Sequence, residues 1–106
     1  MTRGDRERIA DMVATCAELA EVVGQRERGG VPEMVLLRAA ERLLEILGEA
    51  ATQVSPDTRA LYPQVDWRGL GRLRIVLAHQ YHRTDPHLVW QYAGKDVPDL
   101  ALALTS

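Results

Sequence analysis

"PEMVLLRAAERLLEILGEAATQV", Pro32 to Val54, decides the fold. Leu36, Leu37, Ala40, Leu43, Leu44, Leu47, Ala50, Ala51 and Val54 recur at steps of three and four. The seam lasts about five helical turns. Pro32 suits the first turn of such a helix, where its missing N–H would have no partner anyway. A one-sided seam needs a facing one, and residues 3–24 supply it. Ile9, Met12, Val13, Cys16, Leu19, Ala20 and Val23 make a second stripe of helical period. Between the two, "GQRERGG" (Gly24 to Gly30) predicts the break. The product is an antiparallel helical hairpin.

Downstream, "SPDTRALYPQVD" (Ser55 to Asp66) is a connector with two prolines and room for one helical turn. Asp66 is placed to cap a third helix running from Trp67 to about His82. Thr84 or Asp85 can cap the next, with Pro86 near its first position and Gly94 predicted to end it. "DVPDLALAL" closes the chain as a short last helix, and no segment alternates as a strand does. The expectation is an all-α antiparallel bundle of four to five helices, a single domain over residues 1–106.

Composition agrees with an ordinary globular chain: 46% hydrophobic, 26% charged, with no Phe. No apolar run approaches the roughly 20 residues that cross a bilayer, and the charged start "MTRGDRERIADM" is unlike a secretion signal. The lone Cys16 allows no internal disulfide and reads as a packing residue in a reducing cytoplasm. Net charge is −2, which excludes a generic nucleic-acid coat. The charges are uneven, however. From Trp67 to Thr84 stand Arg68, Arg72, Arg74 and Arg83 with no acid, bracketed by Asp66 and Asp85.

The third helix is where chemistry gathers. With Leu70 at zero and about 100° per residue, Leu77 falls near −20°, Arg74 near +40° and Tyr81 near +20°. Arg74 therefore shares the leucine face, where an unpaired guanidinium is costly; it must meet a carboxylate, a wet cleft or a ligand anion. Ile75 and Val76 make the opposite face apolar too, which predicts a second copy of the chain as its cover. His79 lies about 140° from Arg74. The two converge only if the helix bends or if two protomers share one site.

Arg74, four residues, His79, one residue and Tyr81 reproduce the R-x4-H-x-Y motif of HEPN domains, and the chain resembles the HepT-like toxin branch. The likeness extends through "ILGEAA" (Ile46 to Ala51), "DWRGLGRLR" (Asp66 to Arg74), "HQYHRTDPHLVW" (His79 to Trp90) and "DVPDL" (Asp96 to Leu100). The resemblance implies a homodimer whose motifs face one cleft and cut RNA with no metal and no cofactor. It also implies the toxin of a type II/VII-like toxin–antitoxin module. The partner would be a minimal nucleotidyltransferase antitoxin that transfers AMP to the motif tyrosine, here Tyr81. The residue types suit the work. An imidazole, titrating near about 6.5, can take a proton from a ribose 2′-hydroxyl or give one to the leaving 5′-oxygen. Arg74 can hold a phosphate in its fork and offset charge growing on the oxygens. Internal attack leaves a 2′,3′-cyclic phosphate. Tyr81 can hydrogen-bond phosphate or stack on a base.

One position departs from the pattern. The residue after the motif arginine is usually polar in this branch, most often asparagine, and here it is Ile75. Two readings follow: an endoribonuclease acting through Arg74 and His79, or a non-catalytic helical dimer that binds a nucleotidyltransferase or nucleic acid. Glu49 either pairs with Arg74 in support of the site or is a plain helix carboxylate, and Arg72 is a second candidate for support. His79, His82 and His87 lack the cysteines and second carboxylate a metal site needs. Glu41 and Glu45 with Arg38 and Arg42 read as helix-face ion pairs. Trp67 and Trp90 read as packing anchors, and Gly69 and Gly71 as close-approach positions.

Overall fold

A computed structural model describes residues 1–79 and 85–106, with Val76, Ala78 and His79 as backbone alone. The first helix, α1 (Arg3–Arg28), starts where the Thr2 hydroxyl accepts the Asp5 N–H at 3.0 Å. It does not break at Gly24 as expected. Gln25 and Arg28 both donate to the Glu21 carboxylate, at 3.0 and 3.2 Å, and cationic Arg26 and Arg28 sit at the helix's negative end. Together these offset the roughly 1 kcal/mol an internal glycine costs. The turn comes at Gly29 and Gly30, whose φ of 78° and 91° favour glycine.

The next helix, α2 (Glu33–Thr52), returns antiparallel to α1. Arg26 at the end of α1 bonds Glu33 at 2.6 Å, while Asp5 at its start meets Ser55 just past the end of α2. Met12, Leu19, Leu44 and Leu47 are fully buried between the two. The stripe on α1 is narrower than its apolar residues suggested. Ala20 is exposed and Thr15 turns inward, its hydroxyl satisfied by the Asp11 carbonyl at 2.8 Å. Cys16 is buried as expected, which pushes its thiol up to about 11.

The connector holds the expected single turn, α3 (Pro56–Arg59), capped by Ser55. Asp5, only 5% exposed, accepts from the Ser55 hydroxyl at 2.6 Å, the Thr58 hydroxyl at 2.6 Å and the Ser55 N–H at 3.1 Å. These donors, in that order, lower its pKa to about 2 against the opposing pull of burial. Arg59 reaches back to the Val54 carbonyl at 3.0 Å, satisfying backbone that the end of α2 leaves open. The indole N–H of Trp67 donates to the Tyr62 carbonyl at 3.3 Å, and the Trp67 ring lies edge-on to Tyr62, a packing anchor as read.

Asp66 caps the fourth helix, α4 (Trp67–His79), accepting the Gly69 N–H at 2.9 Å. Leu70 and Leu77 face the core, whereas Arg68, Arg72 and Ile75 are exposed. The expected helix end near His82 lies outside the described residues. Asp85, one of the two expected caps, caps α5 (Pro86–Gln91) by accepting the His87 N–H at 2.9 Å. Gly94 does not end this rod. A π turn (Tyr92–Asp96) carries it into α6 (Val97–Thr105), with the Val97 N–H bonded to the Tyr92 carbonyl. Pro98 has no N–H to continue a regular ladder, and the wider turn before it keeps Val89, Ala93 and Val97 all buried. Counting α5, the π turn and α6 as one rod, five helices pack as a bundle among the described residues. None of the described helices is long and apolar enough to cross a membrane.

Candidate functional site

The site begins with a glycine. A Cβ on Gly48 would stand 2.8 Å from both the Arg74 Cβ and the Leu70 carbonyl oxygen. No side chain fits there, so the backbones of α2 and α4 touch and Arg74 is set against the end of α2. The next residue of α2 is Glu49, whose carboxylate takes the Arg74 Nη1 at 3.1 Å. Of the two readings of Glu49, the structure has the pair. From sequence alone Gly69 and Gly71 are the expected close-approach positions instead. Gly69 lies against its own cap, Asp66, and the nearest atom to a Cβ on Gly71 is Thr52 Cγ2 at 3.9 Å. The signal at Gly48 was present in "ILGEAA", a glycine inside an otherwise unbroken apolar seam.

Arg74 is partly buried, with 37% of its side chain exposed, and its Nε–H is shielded with no acceptor among the described residues. An unmet buried donor costs about 1–3 kcal/mol. One edge of the guanidinium is thus tied to Glu49, while the group as a whole keeps capacity for another acceptor. Beside it an open groove of about 690 Å³ runs between α1 and α2. Its lining sets Arg8, Arg42 and Arg74 against Asp11, Glu18, Glu45 and Glu49, so it offers an anion no positive surplus. Two arginines without a carboxylate partner among the described residues lie on the outer side of α4. Arg68 and Arg72 are exposed there beside Ile75, which is 51% exposed, and Arg72 takes no part in the Arg74–Glu49 pair.

His79 is the last residue of α4. Its backbone lies four residues past Ile75, at the helical register of the outer stripe; its side chain, and all of Tyr81, lie outside what is described. Among the described residues no group of three His, Cys, Asp or Glu stands close enough to hold a metal ion.

The sequence model of the family described as "Ribonuclease HepT-like" matches residues 12–106. The chain belongs to the HepT-like family. The match spans every motif position, Arg74, His79 and Tyr81 included. Among curated HepT-like relatives, "Probable ribonuclease HepT" of Thermococcus cleftensis is 37% identical over 62 residues, 58% of this chain and 56% of that protein. "Putative RNase MJ1380" of Methanocaldococcus jannaschii is 39% identical over 62 residues, 58% of this chain and 57% of its own length. "Putative RNase TTE0752" of Caldanaerobacter subterraneus is 33% identical over 70 residues, 66% of this chain and 62% of the relative. The chain spans a little over half the length of these three relatives. No solved structure matches it.

Proposed function

We propose that this chain is a metal-independent endoribonuclease of the HepT-like kind, with Arg74 and His79 as its catalytic pair. The observation that carries the reading is Arg74 itself. The motif arginine is held half-buried against Gly48 and Glu49, with a shielded donor still unmet. Glu49 positions the guanidinium, which binds the scissile phosphate and offsets charge on its oxygens. His79 withdraws the proton from the ribose 2′-hydroxyl. The 2′-oxygen attacks phosphorus, the bond to the 5′-oxygen breaks, and that oxygen takes up a proton. A histidine from a second copy can supply it. Tyr81 contacts phosphate or base and is the acceptor of AMP from a nucleotidyltransferase antitoxin, in a toxin–antitoxin module.

The residues form one HEPN domain that works as a homodimer. Support for the dimer is the apolar Ile75, half exposed on the same helix that carries the motif. That observation also favours the second reading, in which Ile75, in place of the usual polar residue, leaves a binding dimer without turnover. The test is incubation of purified protein with total RNA in EDTA, wild type beside Arg74→Ala and His79→Ala. Fragmentation by the wild type that both variants lose supports the enzyme. Intact RNA, or cutting indifferent to both changes, supports the binding dimer.

A further inference from the structure

Arg68, Arg72 and Ile75 lie along one exposed stripe of α4, and position 79 continues it: successive steps of four, three and four residues keep all four within about 60°. The arginines on this stripe differ from most others in the chain. Arg3, Arg26, Arg28, Arg38, Arg42 and Arg74 each meet a carboxylate within 4.0 Å, and Arg59 meets backbone carbonyls. Arg68 and Arg72 meet neither among the described residues; Arg6 and Arg8 share this, but they stand among Asp5, Glu7 and Asp11, whereas the sequence holds no acid from Trp67 to Thr84. Two guanidiniums kept clear of carboxylates, on a protein of net charge −2, form a local anion-attracting track rather than a solubilising surface.

We propose that Arg68 and Arg72 bind successive phosphates of a single-stranded RNA and lead it along α4 to position 79. The four-residue step sets them about 6 Å apart along the helix axis, on the scale of one backbone step of an extended strand. Arg72 stands about 10 Å along the axis from His79, so the track lies to one side of the scissile phosphate. A single strand is the fitting form, because 2′-attack requires the 2′-oxygen to swing opposite the leaving oxygen, which stacked duplex geometry prevents. The groove on the other side of Arg74, with its four carboxylates, repels the same strand. The inference rests on the ribonuclease reading for the identity of the strand.

The test measures equilibrium binding, so that it stands apart from cleavage. A fluorescently labelled 2′-O-methyl oligonucleotide of twelve nucleotides, which lacks the attacking hydroxyl, is titrated with full-length protein from 50 to 200 mM salt. The proteins are wild type, the double variant Arg68→Gln/Arg72→Gln and the double variant Arg68→Lys/Arg72→Lys. Each single-strand phosphate contact contributes about 0.7 to the slope of log affinity against log salt. The glutamine variant is expected to lose about 1.4 of slope, so that wild type weakens about sevenfold more than the variant over this range. The lysine variant keeps the slope, since counterion release needs charge and not the guanidinium fork. An unchanged slope in the glutamine variant overturns the proposal, as does failure of the wild type to bind. Affinity lost together with a change of oligomeric state, at unchanged slope, also overturns it and assigns the arginines to a contact between copies. Cleavage that depends on His79 alongside an unchanged slope removes this inference and leaves the ribonuclease reading standing; an arginine-dependent slope in a protein that cuts nothing does the reverse.

Discussion

The α1–α2 hairpin and α4 handle the same residue type in opposite ways. In the hairpin Arg3, Arg28, Arg38 and Arg42 are each matched by a glutamate on the same helix, and Arg26 bonds Glu33 across the turn. On α4, Arg68 and Arg72 are exposed with no such partner among the described residues, and Arg74 gives only one edge to Glu49. In the hairpin the pairing confines charge to the helix surface, where each pair contributes a few tenths of a kcal/mol. Leaving guanidiniums unmatched adds little to stability; under the proposal above its use is toward the phosphates of an RNA strand. Carboxylate-matched arginines thus prevail in the hairpin, where Arg6 and Arg8 are the exceptions among the described residues, while on α4 only Arg74 is matched.

That contrast can be broken in four places, in order of effect. Arg74→Ala should reduce RNA cleavage on the order of a thousandfold, the scale of losing a group that meets transition-state charge; activity that survives in a strand-cleavage assay would place Arg74 with the hairpin's structural arginines. Gly48→Val should come next, since it forces α4 off α2 where a Cβ would stand 2.8 Å from the Leu70 carbonyl oxygen. Overpacking of this kind costs about 1–3 kcal/mol, read as a lowered urea midpoint, and cleavage should fall with it because Arg74 moves. A variant with the wild-type midpoint would show that the contact is slack.

Asp5→Asn tests the hairpin's own anchor. The folded carboxyl sits at about 2, below its ordinary 3.8. Its stabilising contribution is therefore complete above about pH 4 and is lost as pH falls toward 2. Urea midpoints compared between pH 5 and pH 2 should show wild type and variant converging at the acid end. A gap that stays constant with pH would mean that the Ser55 and Thr58 donors serve a neutral group. Smallest is Arg38→Gln, in a pair with 59% and 14% of its side chains exposed. It should shift stability by less than about 0.5 kcal/mol and leave the salt dependence of RNA binding untouched. A change in that dependence would extend the RNA path onto α2.

Much of this arrangement is legible in the sequence because periodicity reports which face of a helix is apolar. The hairpin seam, the Asp66 and Asp85 caps, the helical turn after Ser55 and the ion pairing of Arg38 and Arg42 with Glu41 and Glu45 all follow from local spacing. Gly24 and Gly94 mislead for one reason: a glycine in the sequence says that a turn is allowed, while the neighbouring bonds decide whether it is taken. Side-chain pairing from Glu21 spans Gly24 within a continuous α1, and the π turn carries the last rod past Gly94. Distances between helices are the other blind spot. The angular position of Arg74 on its own helix raises the need for a partner, but only the close approach at Gly48 selects Glu49 over the remaining carboxylates. The motif itself, Arg74 with His79 and Tyr81, is visible in sequence as spacing and resemblance.

The central claim is that the motif cuts RNA by internal attack of the 2′-hydroxyl. Its most direct test is a defined RNA strand cut in EDTA, with fragment ends read by mass spectrometry, beside the same strand carrying a single 2′-deoxynucleotide on the 5′ side of the cut. The account predicts 2′,3′-cyclic phosphate ends from the first and no cut at that bond in the second. Cleavage of the deoxy-substituted bond, or linear phosphate ends from the outset, would contradict it and point to attack by water.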